Sequence, residues 1–153
     1  MSKIVVADST CLIALSKINK LNLLELLFKK IYIPKAVYDE VVTKGNGRPG
    51  SNEIKEANWI IMQNTKDSLA VNALRLQLGA GESEAIILAK EMKADFIILD
   101  DWRARQAALG LELPVIGTVA ILAKSVEKGF IADFALELES LKIAGFYFSI
   151  HKN

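Results

Sequence analysis

The stretch FIILDDWRAR, residues 96–105, decides the fold. Its first half is a short apolar run without a polar face, the pattern of a strand buried on both sides in a parallel sheet. The run stops at two adjacent carboxylates, Asp100 and Asp101, and WRARQAALG then takes up helical spacing. Like charges a few ångströms apart oppose each other's ionisation, so water or a cation has to answer the pair.

The same strand–acid–helix order opens the chain. KIVVAD, residues 3–8, is a β-branched strand with Asp8 at its carboxyl end, and STCLIALSKI shifts to helical spacing with Ser9 or Thr10 as the expected cap. LNLLELLF predicts a helix, KIYIP a second strand, and Pro34 suits the first turn of a helix over KAVYDEVV. TKGNGRPGSN, residues 43–52, reads as a loop, and ANWIIMQ as the third strand. DSLAVNALRLQLG predicts a helix stopped at Gly79, followed by a helix over GESEAIILAKEMK and the fourth strand, DFIILD. Beyond WRARQAALG come a brief strand, LPVIG, helices over TVAILAKSVEKG and FALELESLK, and an ending, AGFYFSIHKN, that adds an edge strand or simply packs. Strands alternating with helices imply a parallel sheet covered on both faces, with sites at the carboxyl ends of strands near a topological switch point.

Composition narrows the chemistry. With 153 residues, 52% hydrophobic and 24% charged, the chain has the material for one globular domain over residues 1–153. A net charge of +1 excludes the broad basic excess of a protein that coats nucleic acid, so any such contact is focused. One cysteine, Cys11, and one histidine, His151, allow neither an internal disulfide nor a Cys/His zinc cage, and a histidine-based triad is poorly supplied. Hydrolysis would run on carboxylates. No apolar run approaches the roughly 18 residues of a membrane span, and a cytoplasmic location is expected.

Four acids stand against apolar surroundings. Asp8 and Asp100 end strands; Glu40 shares a helical face with Val37 and Ala36; Glu82 opens a helix with Ile86 and Ala89 on its face. Each has a plain structural reading, a cap for the first two and a favourable helix-dipole charge for Glu82. If the first strand is central, however, the ends of the first and fourth strands are neighbours and all four acids flank one cleft. Hard oxygen donors in that number suit Mg²⁺ or Mn²⁺, which activate water and offset charge on a transferring phosphate. Ser9 or Thr10 is a candidate support for such a site, against the commoner role of helix cap.

VVADST, PKAVYDEVV, GESEAIILA, FIILDDWRAR and GLELPVIGTVAIL, in that order over about residues 3–145, resemble the PIN-domain family. The resemblance implies a three-layer α/β fold, a mostly parallel sheet of about four to five strands, and a divalent-metal-dependent nuclease. Most often that means an endoribonuclease, often the toxin of a toxin–antitoxin pair, with homodimers common. It places the first acid at Asp8, the helical glutamate at Glu40, the third acid at Glu82 rather than Glu84, and the fourth at Asp100, with Asp101 as rival or as cap of the next helix. Most members carry Asp at the third position; Glu here lengthens the reach.

Arg105 and Arg48 are the favoured phosphate contacts among several cations that otherwise form a solvated face. GNGRPG, residues 45–50, spells G-x-G-x-x-G but follows a predicted helix and contains Pro49, so it is no dinucleotide turn. Two other readings stand beside the nuclease. One is an interaction module that docks an antitoxin or other protein and binds metal weakly; the other is a phosphoacceptor domain, which leaves Glu40 and Glu82 unexplained.

Overall fold

A computed structural model describes residues 3–146; most of the expected final edge strand and His151 lie outside that range. In chain order the elements are β1 (Val5–Ala7), α1 (Ser9–Lys17), α2 (Asn22–Phe28), β2 (Ile31–Ile33), α3 (Lys35–Tyr38) continued by a π-helical turn (Asp39–Thr43), α4 (Ser51–Glu56) and β3 (Ile60–Met62). There follow α5 (Ser68–Leu74), α6 (Ala80–Met92), β4 (Phe96–Ile98), α7 (Trp102–Gly110), β5 (Val115–Ile116), α8 (Thr118–Glu127) and α9 (Phe134–Ile143).

The five strands form one sheet in the order β3-β2-β1-β4-β5, every pairing parallel. Register is set at the centre, where Val5, Val6 and Ala7 lie opposite Phe96, Ile97 and Ile98. Side-chain alternation then divides the core. Val5, Ala7 and Ile98 meet α1, α2 and α8 through Leu12, Leu15, Leu24, Ile121 and Leu122, whereas Val6, Ile97 and Leu99 meet α6 and α7 through Ile86, Leu88, Ala104 and Ala108. Burial on both faces is why these strands carry no polar alternation. Truncating a filled position such as Leu15, which is wholly buried, to alanine is expected to cost about 2–5 kcal/mol in urea denaturation.

From β1 the chain steps outward to β2 and β3, then returns across β1 to lay down β4 and β5. The order therefore reverses between β1 and β4, and a crevice opens at the carboxyl ends of those two strands. Asp8 follows β1, its N–H still donating to the Ile98 carbonyl at 3.2 Å, and Asp100 lies two residues beyond β4.

Several local expectations are corrected. The N-cap of α1 is Asp8, in extended conformation and without a side-chain cap bond, so neither Ser9 nor Thr10 caps the helix. The helix expected over KAVYDEVV widens into the π turn, closed by the Lys44 N–H donating to the Asp39 carbonyl at 2.7 Å. The last two residues of the expected loop, Ser51 and Asn52, open α4, whose SNEIKE sequence offers only Ile54 to the apolar core and so shows no helical periodicity. Gly50 precedes it at φ 94°, and a Cβ there would stand 2.7 Å from the Ser16 hydroxyl, a position that conformation and space reserve for glycine. The helix expected to run to Gly79 ends at Leu74, and Gly79 instead caps α6.

Candidate functional site

Asp8 is the centre of the crevice. It is only 3% exposed, and its Oδ1 is buried without a hydrogen-bond partner. Burial drives its carboxyl from an ordinary value of 3.8 to about 7; the backbone at Ser9 opposes this, while the charges of Glu82, Glu40 and Asp100 add to it. All three other acids thus act on Asp8, each from a different element. An unpaired buried carboxylate oxygen is costly, and among the described residues none hydrogen-bonds Asp8 Oδ1.

Close approach around Asp8 depends on Gly81 of α6. A Cβ at that position would stand 3.3 Å from Asp8 Oδ1, 3.4 Å from Val37 Cγ2 and 4.0 Å from Glu40 Oε1. Glu40 lies in the π turn and is exposed, which corrects the expectation of an acid held against an apolar face: the apolar neighbours Val37 and Val41 are buried, and Glu40 stands at the rim. Its neighbour Asp39 is engaged outside the crevice, accepting from Lys35 Nζ at 2.7 Å.

Glu82 opens α6, half-buried, and its Oε1 accepts from the Gly79 N–H at 3.2 Å. Its carboxyl is raised chiefly by burial and further by the charges of Asp101 and Glu40, against the Gly79 bond. Glu84 serves another end: its Oε1 accepts from the Ala36 N–H at 3.0 Å and satisfies the first turn of α3. Removing that carboxylate as Glu84→Ala should destabilise the fold by about 1 kcal/mol and leave the crevice intact, measurable as a lowered urea midpoint with unchanged divalent-ion binding.

The adjacent aspartates separate cleanly. Asp101 is the N-cap of α7, its Oδ2 accepting from the Ala104 N–H at 3.0 Å. Asp100 turns the other way, receiving the Thr118 N–H on Oδ1 at 2.8 Å and the Thr118 hydroxyl on Oδ2 at 2.6 Å. Burial raises its carboxyl, while both Thr118 bonds and the positive charge of Arg105 lower it. Arg105 is half-buried beside Asp100, and its Nη1 donates to the Leu99 carbonyl at 3.2 Å. Arg48 remains exposed in the turn before α4. Ser9 is buried next to Asp8, its backbone bonded to that carboxylate, and Thr10 lines a separate groove with Ile13, Lys17 and Phe146. A polar groove of about 300 Å³, bounded by Tyr38, Thr43, Asn46, Asn52 and Lys55 among others, includes none of the four acids.

The residues missed by sequence reasoning are Thr118, Gly81 and Gly117. The only signal was a Gly-Thr pair at a strand–helix boundary.

Whether this site suits a divalent ion is decided by its donors. Among the described residues, no three Asp, Glu, Cys or His side chains already stand as a ligating set. Two of the acids are held by other partners, Glu82 by Gly79 and Asp100 by Thr118. Yet every donor is a carboxylate oxygen, Asp8 Oδ1 is buried and orphaned, and Mg²⁺ is commonly held by one or two carboxylates with waters completing its octahedron. The donors fit such an ion.

A five-stranded parallel sheet flanked by helices, with carboxylates gathered at its switch point, defines a three-layer α/β class of protein. Within it, the chain belongs to the PIN-domain family, whose model, described as DUF3368, a PIN domain, matches residues 4–152. Among solved structures it is similar to a PilT N-terminus domain protein from the hyperthermophilic archaeon Sulfolobus solfataricus P2, at 20% identity and a TM-score of 0.51, covering 81% of this chain and 94% of that one. That likeness is one of fold. No curated protein matches the chain.

Proposed function

We propose that this PIN-domain protein is a Mg²⁺- or Mn²⁺-dependent endoribonuclease hydrolysing RNA phosphodiester bonds, with Asp8, Glu40, Glu82 and Asp100 around the ion. The observation that carries the reading is the orphaned, buried Oδ1 of Asp8, acted on electrostatically by the other three acids at the strand switch point. When bound there, a divalent ion supplies an activated water and charge stabilisation at the phosphate.

The chain's own residues do the rest. Asp8 presents a lone pair in a site that excludes bulk water, where electrostatic attraction is stronger than at the surface. The Thr118 bonds and the Arg105 charge favour the ionised form of Asp100, against the burial that raises its carboxyl overall. Glu82 and Glu40 bring further negative charge from α6 and the π turn. Asp101, as the cap of α7, lies just outside the ligating group. Arg105 spends one N–H on Leu99 and offers others to a phosphate oxygen, with Arg48 as a more distant contact. Ser9 supports Asp8 through its backbone.

A cytoplasmic homodimer restrained by a small antitoxin accompanies this reading. No helix among the described residues is long and apolar enough to cross a membrane. The test is cleavage of a structured RNA: activity with Mn²⁺ or Mg²⁺, lost in EDTA and regained on adding Mn²⁺, is the expected result. A second reading is favoured by the hydrogen bonds that already engage Glu82 and Asp100, namely a PIN module that docks a protein partner. No cleavage under any divalent ion, with no heat of Mn²⁺ binding in calorimetry, would replace the first reading by the second.

A further inference from the structure

We infer that Thr118 is a positioning residue which, with Gly117 and Arg105, fixes the Asp100 carboxylate in the orientation that serves a divalent cation. The inference rests on the reading of Asp100 as one of the ion's acids.

Thr118 is the first residue of α8 and is completely buried. Its N–H and its hydroxyl reach different oxygens of Asp100, at 2.8 and 2.6 Å, so the carboxylate is gripped at both ends and cannot rotate without breaking a bond. Each oxygen has two lone-pair sites, and the grip spends one on each, leaving one per oxygen. A β-branched side chain has restricted χ1 freedom, which makes threonine a stiffer holder than serine. The amino terminus of a ten-residue helix adds a favourable field for the negative charge.

Ordinary helix capping explains part of this geometry and leaves part over. The cap position of α8 is Gly117, which has no side chain, and the capping oxygens come instead from a strand end eighteen residues earlier. Glycine at 117 also keeps open a shared space: a Cβ would come within 2.7 Å of Arg105 Nη1 and 3.1 Å of Asp100 Oδ1. Arg105, tied to the Leu99 carbonyl, supplies the positive charge on that side. The buried Cys11 thiol lies against the Thr118 hydroxyl from below, so the arrangement is enclosed on its core side. A helix start needs one acceptor; here a stiff two-point clamp, a reserved gap and a tethered cation converge on one carboxylate.

The test measures Mn²⁺ binding by calorimetry on the full chain, independently of cleavage. Thr118→Val, with folding checked by circular dichroism, should weaken Mn²⁺ binding roughly 10- to 100-fold, while Thr118→Ser, which keeps both donors, retains most of the affinity. Where the valine variant does not fold, Thr118→Ala removes the hydroxyl without adding bulk and should show the same loss. In an Asp100→Asn background the Thr118 substitution should have no further effect, because it acts through that carboxylate. Wild-type affinity in folded Thr118→Val, or an undiminished loss in the Asp100→Asn background, overturns the inference. If wild-type protein binds no Mn²⁺, the metal reading falls and the inference with it; if Asp100→Asn weakens binding and Thr118→Val does not, only the inference falls.

Discussion

Asp8→Asn is expected to lower divalent-dependent RNA cleavage by ~10²- to 10⁴-fold while leaving the protein folded. The size follows from position. Of the four crevice acids Asp8 alone has a side-chain oxygen, Oδ1, that is both buried and unpaired, so the charge there is neither diluted by water nor spent on a neighbour. Asparagine preserves shape and volume but replaces a charged oxygen by an amide NH₂, which has no lone pair to give a cation. Losing several kcal/mol of charge stabilisation at the transition state translates, at about 1.4 kcal/mol per tenfold, into that range. Glu40→Gln provides the contrast: an exposed acid at the rim interacts through higher dielectric, and its loss should be smaller. Single-turnover cleavage with saturating Mn²⁺ measures both. Asp8→Asn cleaving RNA at the wild-type rate would sink the reading of a carboxylate-centred nuclease.

The parts of this architecture that were legible from the residues share a physical feature: their signal is local or depends on burial on both faces. VVA and FII announce themselves because a central parallel strand has no solvated side to encode. Asp8 and Asp100 are then fixed at strand ends by chain order alone, and their adjacency follows once β1 is central. Glu82 and Glu84 separate on the helical wheel, which is why the second reaches α3 instead of the crevice.

What stayed hidden was tertiary or energetically balanced. KAVYDEVV keeps an apolar helical pattern through Val41, and nothing in it marks the extra residue of the π turn, which turns Glu40 outward at the rim. SNEIKE has a single core contact, too little for a periodicity. The cap of α1 went to Asp8 rather than to the hydroxyls beside it because the chain leaves the β1–β4 ladder at that residue. Thr118 could not be connected to Asp100 by any spacing rule, since a clamp across eighteen residues exists only when β4 and the start of α8 are side by side. Asp101 caps its own helix, one of the two roles the sequence offered it, whereas the engagement of Asp100 by another helix is shown only by the fold.

The largest effect on stability should come from the same aspartate, and its sign is unusual for a carboxylate. Most acids in folded proteins are stabilised in their charged form, so acid unfolds the protein; Asp8 is raised from 3.8 to about 7, chiefly by burial. Between those values the native state holds a proton that the unfolded chain has released, so the free energy of unfolding falls as pH rises. The contribution is fully present below about 4 and is lost by the time pH passes about 7, a loss on the order of a few kcal/mol at roughly 1.4 kcal/mol per unit. Glu82 and Asp100 are also raised, burial being the first cause for each, and push in the same direction. Asp39, lowered by its surface pairing with Lys35, acts oppositely but only at pH values below the window. Metal-free protein should therefore melt several degrees lower at pH 8 than at pH 5, about 2–4 °C for each kcal/mol in a chain of this size. Asp8→Asn removes the buried charge and should flatten the profile, giving a variant more stable than wild type at pH 8 and inactive. Mn²⁺ at a hundred times its dissociation constant should restore about 2.7 kcal/mol to wild-type protein and little to the variant, because the ion takes over the role that the proton played. Scanning calorimetry in EDTA and in Mn²⁺ across pH 5–8 measures all of this. A metal-free wild-type protein that gains stability toward pH 8, or an Asp8→Asn variant with the wild-type profile, would mean that the buried carboxylate is not the source of strain that a cation relieves.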